Sequence, residues 1–144
     1  DAVLRLIQTE FAAMDGRIDP PSSMHRLTTA DLALSAERGE VWVIGQPPLA
    51  CVVLTPKEEA LYIGKLAVAG AERRKGHARR LIDRAETRAR ALGLPWLELQ
   101  VRVELVENLR AFAAMGFHET GRTAHSGYDR PTSVTLRRAV RQAR

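Results

Sequence analysis

Apolar residues recur along the first fifteen positions at helical spacing. Val3, Leu4, Ile7, Phe11 and Met14 fall on one face of a 3.6-residue period. Asp1 stands where a cap would start this helix and Gly16 where it would stop. Gly16-Arg17-Ile18-Asp19-Pro20-Pro21-Ser22-Ser23 reads as loop, because two adjacent prolines cannot continue a helix. A second helix is predicted over 28–38. Thr28 with Asp31 three residues on has the form of a capping box, and Gly39 supplies the stop.

The period then shortens. Residues 41–44, 49–54 and 61–68 are apolar, β-branched runs separated by Gly45-Gln46-Pro47-Pro48 and Thr55-Pro56-Lys57-Glu58-Glu59. Such short connections predict an antiparallel meander. The longest helix is predicted over 76–92, with Ala78, Leu81, Ile82, Ala85, Ala89 and Leu92 in one stripe. Arg79–Asp83 and Glu86–Arg90 are expected as i,i+4 pairs on its wet side, and Gly93 ends it. A strand over 96–101, a helix over 107–115 and strands over 117–122 and 133–138 complete the chain, with a loop at 123–132. The order ααβββαβαββ has no repeat and no linker. It predicts one α/β domain (α+β, with a mixed sheet) spanning 1–144.

Composition narrows the classes. At 144 residues a single core suffices without a metal or disulfide staple. Cys51 is the lone cysteine, so an internal disulfide is excluded, no Cys/His cluster suggests zinc, and a buried structural thiol is expected. No apolar run has the length of a membrane helix and no signal peptide is evident, so a soluble, cytoplasmic domain is expected. The formal net charge is +5, and nineteen of the 22 basic residues are arginine. Arg137, Arg138, Arg141 and Arg144 crowd the C-terminus, and Arg73, Arg74, Lys75, Arg79 and Arg80 form a second cluster. The positive charge is local, and each cluster needs an anion.

The second cluster carries the clearest chemistry. Leu66-Ala67-Val68 ends a strand, Arg73-Arg74-Lys75-Gly76-His77-Ala78 forms a basic turn, and a helix begins. A strand–turn–helix junction points backbone N–H groups and the positive end of the helix dipole at one spot, which suits phosphate. Glycine at 76 permits close backbone approach. The two glycines and Lys-Ser/Thr of a Walker A loop are absent, as is the Rossmann fingerprint. By itself, this segment reads equally as a solvated basic turn.

Arg73-x-x-Gly76-x-Ala78 resembles the Q/R-x-x-G-x-G/A signature of the GNAT superfamily of N-acetyltransferases. That resemblance implies a pyrophosphate site for acetyl-CoA at residues 73–78, including Lys75 and His77. It implies that Leu66, Ala67 and Val68 belong to a splayed strand whose amides pair with pantetheine. Asn108 before a helix ending in Gly116-Phe117 is similar to the family's second landmark, which also brings Phe112 to the cofactor. The element order resembles the family fold without its first strand. Either the sheet has one strand fewer or a preceding segment lies outside this sequence. Two further departures stand out. Ala78 replaces the commoner glycine, and Phe112 stands where the family often has a tyrosine that protonates the leaving thiolate. Phenylalanine has no proton to give.

The implied reaction is transfer of acetyl from acetyl-CoA to a primary amine by direct attack in a ternary complex. It needs a proton acceptor for the amine, and a backbone N–H near 66–68 as a donor to the thioester oxygen. The carboxylate candidates are Glu59 (with Glu58), Glu98 and Glu104. The loop 124–131, near the expected acceptor cleft and a candidate for substrate contact, gathers His125, Tyr128, Asp129 and Arg130, where Tyr128 is a substitute acid and His125 the group that titrates nearest neutrality. Each of these also has a plain reading as a solvated turn or sheet face. The 16–23 loop, with Asp15 and Asp19, is expected to wall the acceptor. Two other classes compete: a catalytically weak acyl-CoA-binding module, suggested by Phe112, and a nucleic-acid-binding domain, disfavoured by only 5% aromatic residues. A small-molecule or peptide amine is the expected partner, and pairing of exposed final strands would give a homodimer.

Overall fold

The computed structural model describes residues 2–141. Asp1, the expected cap, and Arg144 of the basic tail lie outside them. The elements are α1 (Ala2–Ala12), α2 (Thr29–Arg38), β1 (Glu40–Ile44), β2 (Ala50–Pro56), β3 (Ala60–Val68), α3 (His77–Leu92), β4 (Trp96–Arg102), α4 (Val106–Ala114), β5 (His118–Thr123) and β6 (Ser133–Ala139). Short 3-10 turns at Ser23–Arg26 and Gly70–Glu72 interrupt the two long loops. The Thr28–Asp31 capping box forms as its spacing predicts, with backbone N–H groups bonded reciprocally at 2.9 and 3.1 Å.

One six-stranded sheet runs β1-β2-β3-β4-β6-β5. The expected meander is present, β1 pairing β2 and β2 pairing β3, both antiparallel. Only β3 and β4 are parallel, because α3 carries the chain back across the sheet before β4 begins. Among the described residues β1 forms one sheet edge.

Core placement follows the alternation of side chains. Leu61, Ile63, Leu97, Leu99, Val134 and Leu136 point to one face and pack with Leu81, Ile82, Ala85 and Ala89 of α3. On the opposite face Leu6, Ile7 and Leu32 of α1 and α2 cover Cys51, Val53 and Ala67. Strand β2 is therefore buried on both faces, and its sequence is a continuous apolar run. The two helices stop at β3. Beyond them that face of β4 and β6 is polar, carrying Glu98, Gln100, Arg102, Thr135 and Arg137.

The strands do not stay together. β3 pairs β4 only through Ala60–Tyr62 against Trp96–Glu98. From there β3 follows β2 as far as Val68, whereas β4 follows β6 as far as Arg102. The sheet opens into a V. A bulge opposite Val52 places Lys65 in the left-handed region at φ 50°, which turns β3 further from its former neighbour.

One expectation is overturned on α3. Glu86 does not lie on a wet face; it is 3% exposed, and the expected pair with Arg90 is present but long, at 3.9 Å. Its carboxylate accepts from Arg138 at 3.3 Å and from both the backbone N–H and the guanidinium of Arg141 at 2.8 and 3.0 Å. The chain after β6 folds back against α3, which a helical-wheel reading of one segment cannot show.

Candidate active site

The V between β3 and β4 is the mouth of a cleft of about 760 Å3. Its walls are the free edge of β3 at Gly64–Val68, the end of β4, helix α4 through Asn108 and Phe112, and the 13–24 loop. Past Tyr62, β4 no longer pairs with the facing edge of β3, so its backbone groups are available to an extended ligand. Phe112 makes an edge-to-face contact with Phe117 at 5.8 Å and presents an apolar surface to the cleft. Of the residues expected around a cofactor, Leu66, Ala67, Val68, Arg73, Arg74, Ala78, Asn108 and Phe112 all line this one space.

The turn at its end is shaped for an anion. Arg74 and Gly76 both have positive φ, at 66° and 83°, and Gly76 caps α3 with no side chain bonded to the first-turn amides. Alternating left-handed residues before a helix make a concave nest of N–H groups at the positive dipole end. These uncapped amides, with Arg73 and Arg74 beside them, fit a diphosphate.

Lys75 and His77 behave differently from the expectation that they reach the phosphates. Lys75 Nζ donates to Glu72 at 3.0 Å, and His77 Nε2 lies 3.1 Å from the other oxygen of the same carboxylate. His77 is 9% exposed, and neither side chain lines the cleft. The hydrogen bond from His77, then that from Lys75, holds Glu72 below the ordinary carboxylate pKa. Glu72 thus braces the turn from behind. Glu10 of α1, which sequence reading missed, takes part at the front: it accepts from Gly70 N–H at 3.2 Å and from Arg73 at 2.8 Å. Only the packing of α1 across β3 brings these residues together.

At the other end, two loops meet over the end of β4. Tyr128 donates its phenolic proton to Asp19 at 2.5 Å, and Arg130 reaches the second Asp19 oxygen at 3.2 Å. Glu104 accepts from the Asp19 backbone N–H at 3.3 Å and lies 4.0 Å from Arg130. Its other oxygen is buried and has no partner among the described residues. Arg102 fixes the 16–23 loop by donating to the Pro20 and Pro21 carbonyls at 2.6 and 3.3 Å. The hydrogen bond to Asp19 raises the Tyr128 pKa, and neither residue lines the cleft. Tyr128 and Glu104 both bond Asp19, a latch on the 16–23 loop.

Glu59 is placed elsewhere. It precedes β3 in an exposed turn with Lys57 and Glu58 beside Arg137. Seven residue steps of extended chain separate it from Leu66, roughly 20 Å, so it lies at the closed end of the sheet. Glu98 is also at that end, bonded to Arg137 at 2.9 Å and Lys57 at 3.4 Å. Cys51 is fully buried, and burial pushes its thiol up to about 11.

A splayed mixed sheet with an anion nest at the central helix and an apolar channel between defines an acyl-carrier-dependent transferase scaffold. The chain belongs to the acetyltransferase (GNAT) family, whose model matches residues 2–117. Among curated proteins none is significantly similar in sequence. Solved structures share the fold at low identity. Ard1 from Thermoplasma volcanium is 17% identical with a TM-score of 0.72, over 96% of this chain and 94% of that one. The ribosomal-protein-S18-alanine N-acetyltransferase of Escherichia coli is 18% identical with a TM-score of 0.69, over 99% and 88%. A GNAT family acetyltransferase from Elizabethkingia anophelis with acetyl-CoA bound is 16% identical with a TM-score of 0.63, over 78% and 83%.

Proposed function

We propose that this acyltransferase moves the acetyl group of acetyl-CoA to a primary amine, by direct attack within a ternary complex. The observation that carries this is one continuous cleft joining an uncapped anion nest at 73–78 to the unpaired edge of β3 at 64–68. The diphosphate of acetyl-CoA belongs at the nest, held by Arg73, Arg74 and the amides around Gly76. Its pantetheine arm belongs along Leu66 to Val68 opposite Asn108 and Phe112. The thioester then lies in the V, where a β3 amide can donate to its carbonyl oxygen as charge develops. The amine enters from the side walled by the 16–23 and 124–131 loops. No side chain need become acylated, so the cleft needs no nucleophile of its own.

Acetyl-CoA supplies an activated acyl group, and its thiol, with an ordinary pKa of about 8.5, is a tolerable leaving group without an acid. Phe112 therefore does not bar turnover. The same residue is the observation behind a second reading, an acyl-CoA-binding module with little activity. Nucleic acid is less favoured: among the described residues of the tail, Arg138 and Arg141 are bonded to Glu86 and Arg137 to Glu98.

Thermal unfolding with acetyl-CoA, followed by thiol release across a panel of amines, separates the readings. A raised Tm and thiol release with one class of amine support the transferase. A raised Tm without release from any amine selects the binding module. No shift at millimolar acetyl-CoA sinks both.

A further inference from the structure

The acetyl-transfer reading leaves one role open: which group takes the proton from the amine. Two carboxylates border the cleft, and both are engaged. Glu10 is bonded to Gly70 and Arg73, and Glu107 is paired with Arg17. The Tyr62 phenol also reaches the space, but burial and then the nearby Glu98 charge raise its pKa, which keeps it protonated. The latch residues Tyr128 and Glu104 do not line the cleft; Tyr128 donates to Asp19, and Glu104 accepts from the Asp19 backbone N–H. His125 is left, and among the described residues it is the one imidazole that lines the cleft.

The ring is held in place. Thr132 is 0% exposed, and its hydroxyl oxygen accepts from the His125 backbone N–H at 2.9 Å while lying against His125 Nδ1. The same hydroxyl is 3.4 Å from the Thr123 carbonyl, to which it can donate. With that donation made, the oxygen has a lone pair for Nδ1–H, and Nε2 carries the free lone pair. A buried second partner that orients an imidazole in this way is the usual companion of a working one. The loop is anchored by Thr132 N–H to the Thr123 carbonyl at 2.9 Å and by Tyr128 N–H to the His125 carbonyl at 3.0 Å.

We propose that His125 is the general base of this cleft, oriented through Nδ1 by Thr132, with Nε2 receiving the proton of the incoming ammonium. This rests on the acetyl-transfer reading above. The step balances as follows. The ammonium N–H bond breaks and its proton goes to Nε2, leaving the pair on nitrogen. The neutral amine forms the C–N bond to the thioester carbon while the carbonyl π pair moves to oxygen. That pair returns as the C–S bond breaks, and its electrons leave with sulfur. The second proton lost by nitrogen ends on the thiolate, and His125 returns its own proton to solvent.

Of the charged groups, Arg17, Arg102 and Glu107 share the cleft lining with His125, Asp129 and Arg130 belong to its own loop, and Asp19 faces that loop through Tyr128 and Arg130. Arg17 and Glu107 neutralise one another, and so do Arg130 and Asp19. Arg102 is held at the loop carbonyls.

The test compares two nucleophiles. One is the alkylamine that wild type turns over fastest from a panel of spermidine, a lysine-containing peptide and an alanyl N-terminal peptide. The other is hydroxylamine, which is largely unprotonated at neutral pH and needs no base before attack. His125→Gln lowers kcat/KM for the alkylamine about 100-fold, the scale of general-base catalysis. It leaves hydroxylamine within about fivefold and acetyl-CoA affinity unchanged. The acid limb of the pH–rate profile disappears in the variant, and added imidazole partly restores His125→Ala. Thr132→Val slows the alkylamine reaction more than the hydroxylamine reaction, and Thr132→Ser, which restores the hydroxyl, recovers most of that loss. Equal losses for both nucleophiles, or an unchanged alkylamine rate, overturn the assignment while acetyl transfer stands. Acetyl-CoA binding without turnover of any amine by wild type overturns the transfer reading and the base with it.

Discussion

Glu86, buried in the middle of α3, holds Arg141 by its backbone N–H and by its guanidinium, across 55 residues of sequence. Burial by itself would raise the pKa of this carboxylate. The hydrogen bonds from Arg141, with the charges of Arg138 and Arg141, outweigh burial and hold it below the ordinary value.

This relationship makes stability depend on pH in one direction. A carboxyl whose folded pKa is depressed contributes above its unfolded pKa, near 4.3, and the contribution is lost as pH falls through the lower folded value. Glu86→Gln should cost about 2 kcal/mol at pH 7, less than the 3–5 of a fully buried pair because Arg141 faces solvent. Urea midpoints of the two proteins should converge as pH drops into the acid range. Parallel curves from pH 7 to the acid limit would remove Glu86 as the anchor of the C-terminal segment.

The phosphate turn separates a stability effect from a binding effect. Arg74 at φ 66° carries a conformational cost of about 1 kcal/mol that glycine does not pay. Arg74→Gly is expected to be as stable as wild type or up to about 1 kcal/mol more so. Its stabilisation by acetyl-CoA should nonetheless fall, because a cation at the nest is gone. At Gly76 a Cβ meets no atom within 4 Å, so Gly76→Ala acts through backbone strain of about 1–2 kcal/mol and not through a clash. Equal responses of Arg74→Gly and wild type to acetyl-CoA in thermal unfolding would contradict the placement of the diphosphate.

The Asp19 latch predicts an acceptor-side effect. Asp19→Asn removes the charge that binds Tyr128 and Arg130 and loosens the two loops from one another. The KM for the amine should rise severalfold while acetyl-CoA affinity holds. The Tyr128 phenol, raised by its bond to Asp19, should titrate at lower pH in the variant, which ultraviolet difference titration reads directly. A changed acetyl-CoA affinity with an unchanged amine KM would place the latch on the wrong side of the cleft.

Cys51 offers a clock for opening of the domain. Its thiol is fully buried and pushed up to about 11, so the thiolate needed for reaction is scarce and inaccessible. Labelling by a thiol reagent should be slow in the native protein and should quicken with denaturant in step with unfolding. Rapid native labelling would mean that α1 leaves the sheet far more readily than its buried Leu6 and Ile7 suggest.

Local chemistry was readable because it is written in short spans. The Thr28–Asp31 box, the glycine stops at 39 and 93, the two-residue alternation of β4 and the basic turn before α3 each involve neighbours within a few residues. The cofactor half of the cleft follows from them, since a strand, a turn and a helix in sequence are also adjacent in space. The acceptor half was harder to read. His125 is legible in the sequence as a titrating group in a loop near the expected acceptor cleft, but nothing in its sequence neighbourhood shows that Thr132 bonds its ring. Glu59 sat near the right strand at its wrong end, because proximity in sequence does not distinguish the closed end of a sheet from the open one. Glu86 looked solvated because a helical wheel shows a helix without what packs upon it.

The sequence by itself determined the order of elements, the buried runs and the turn that suits a diphosphate, because periodicity, capping and turn chemistry act over a few residues. Only the tertiary structure decided where β3 and β4 part, that Glu10 and Glu72 brace the turn from either side, and that Arg138 and Arg141 meet on a buried carboxylate. Those are meetings of groups distant in sequence, and the strand pairing and core packing that bring them together leave no local trace in the chain.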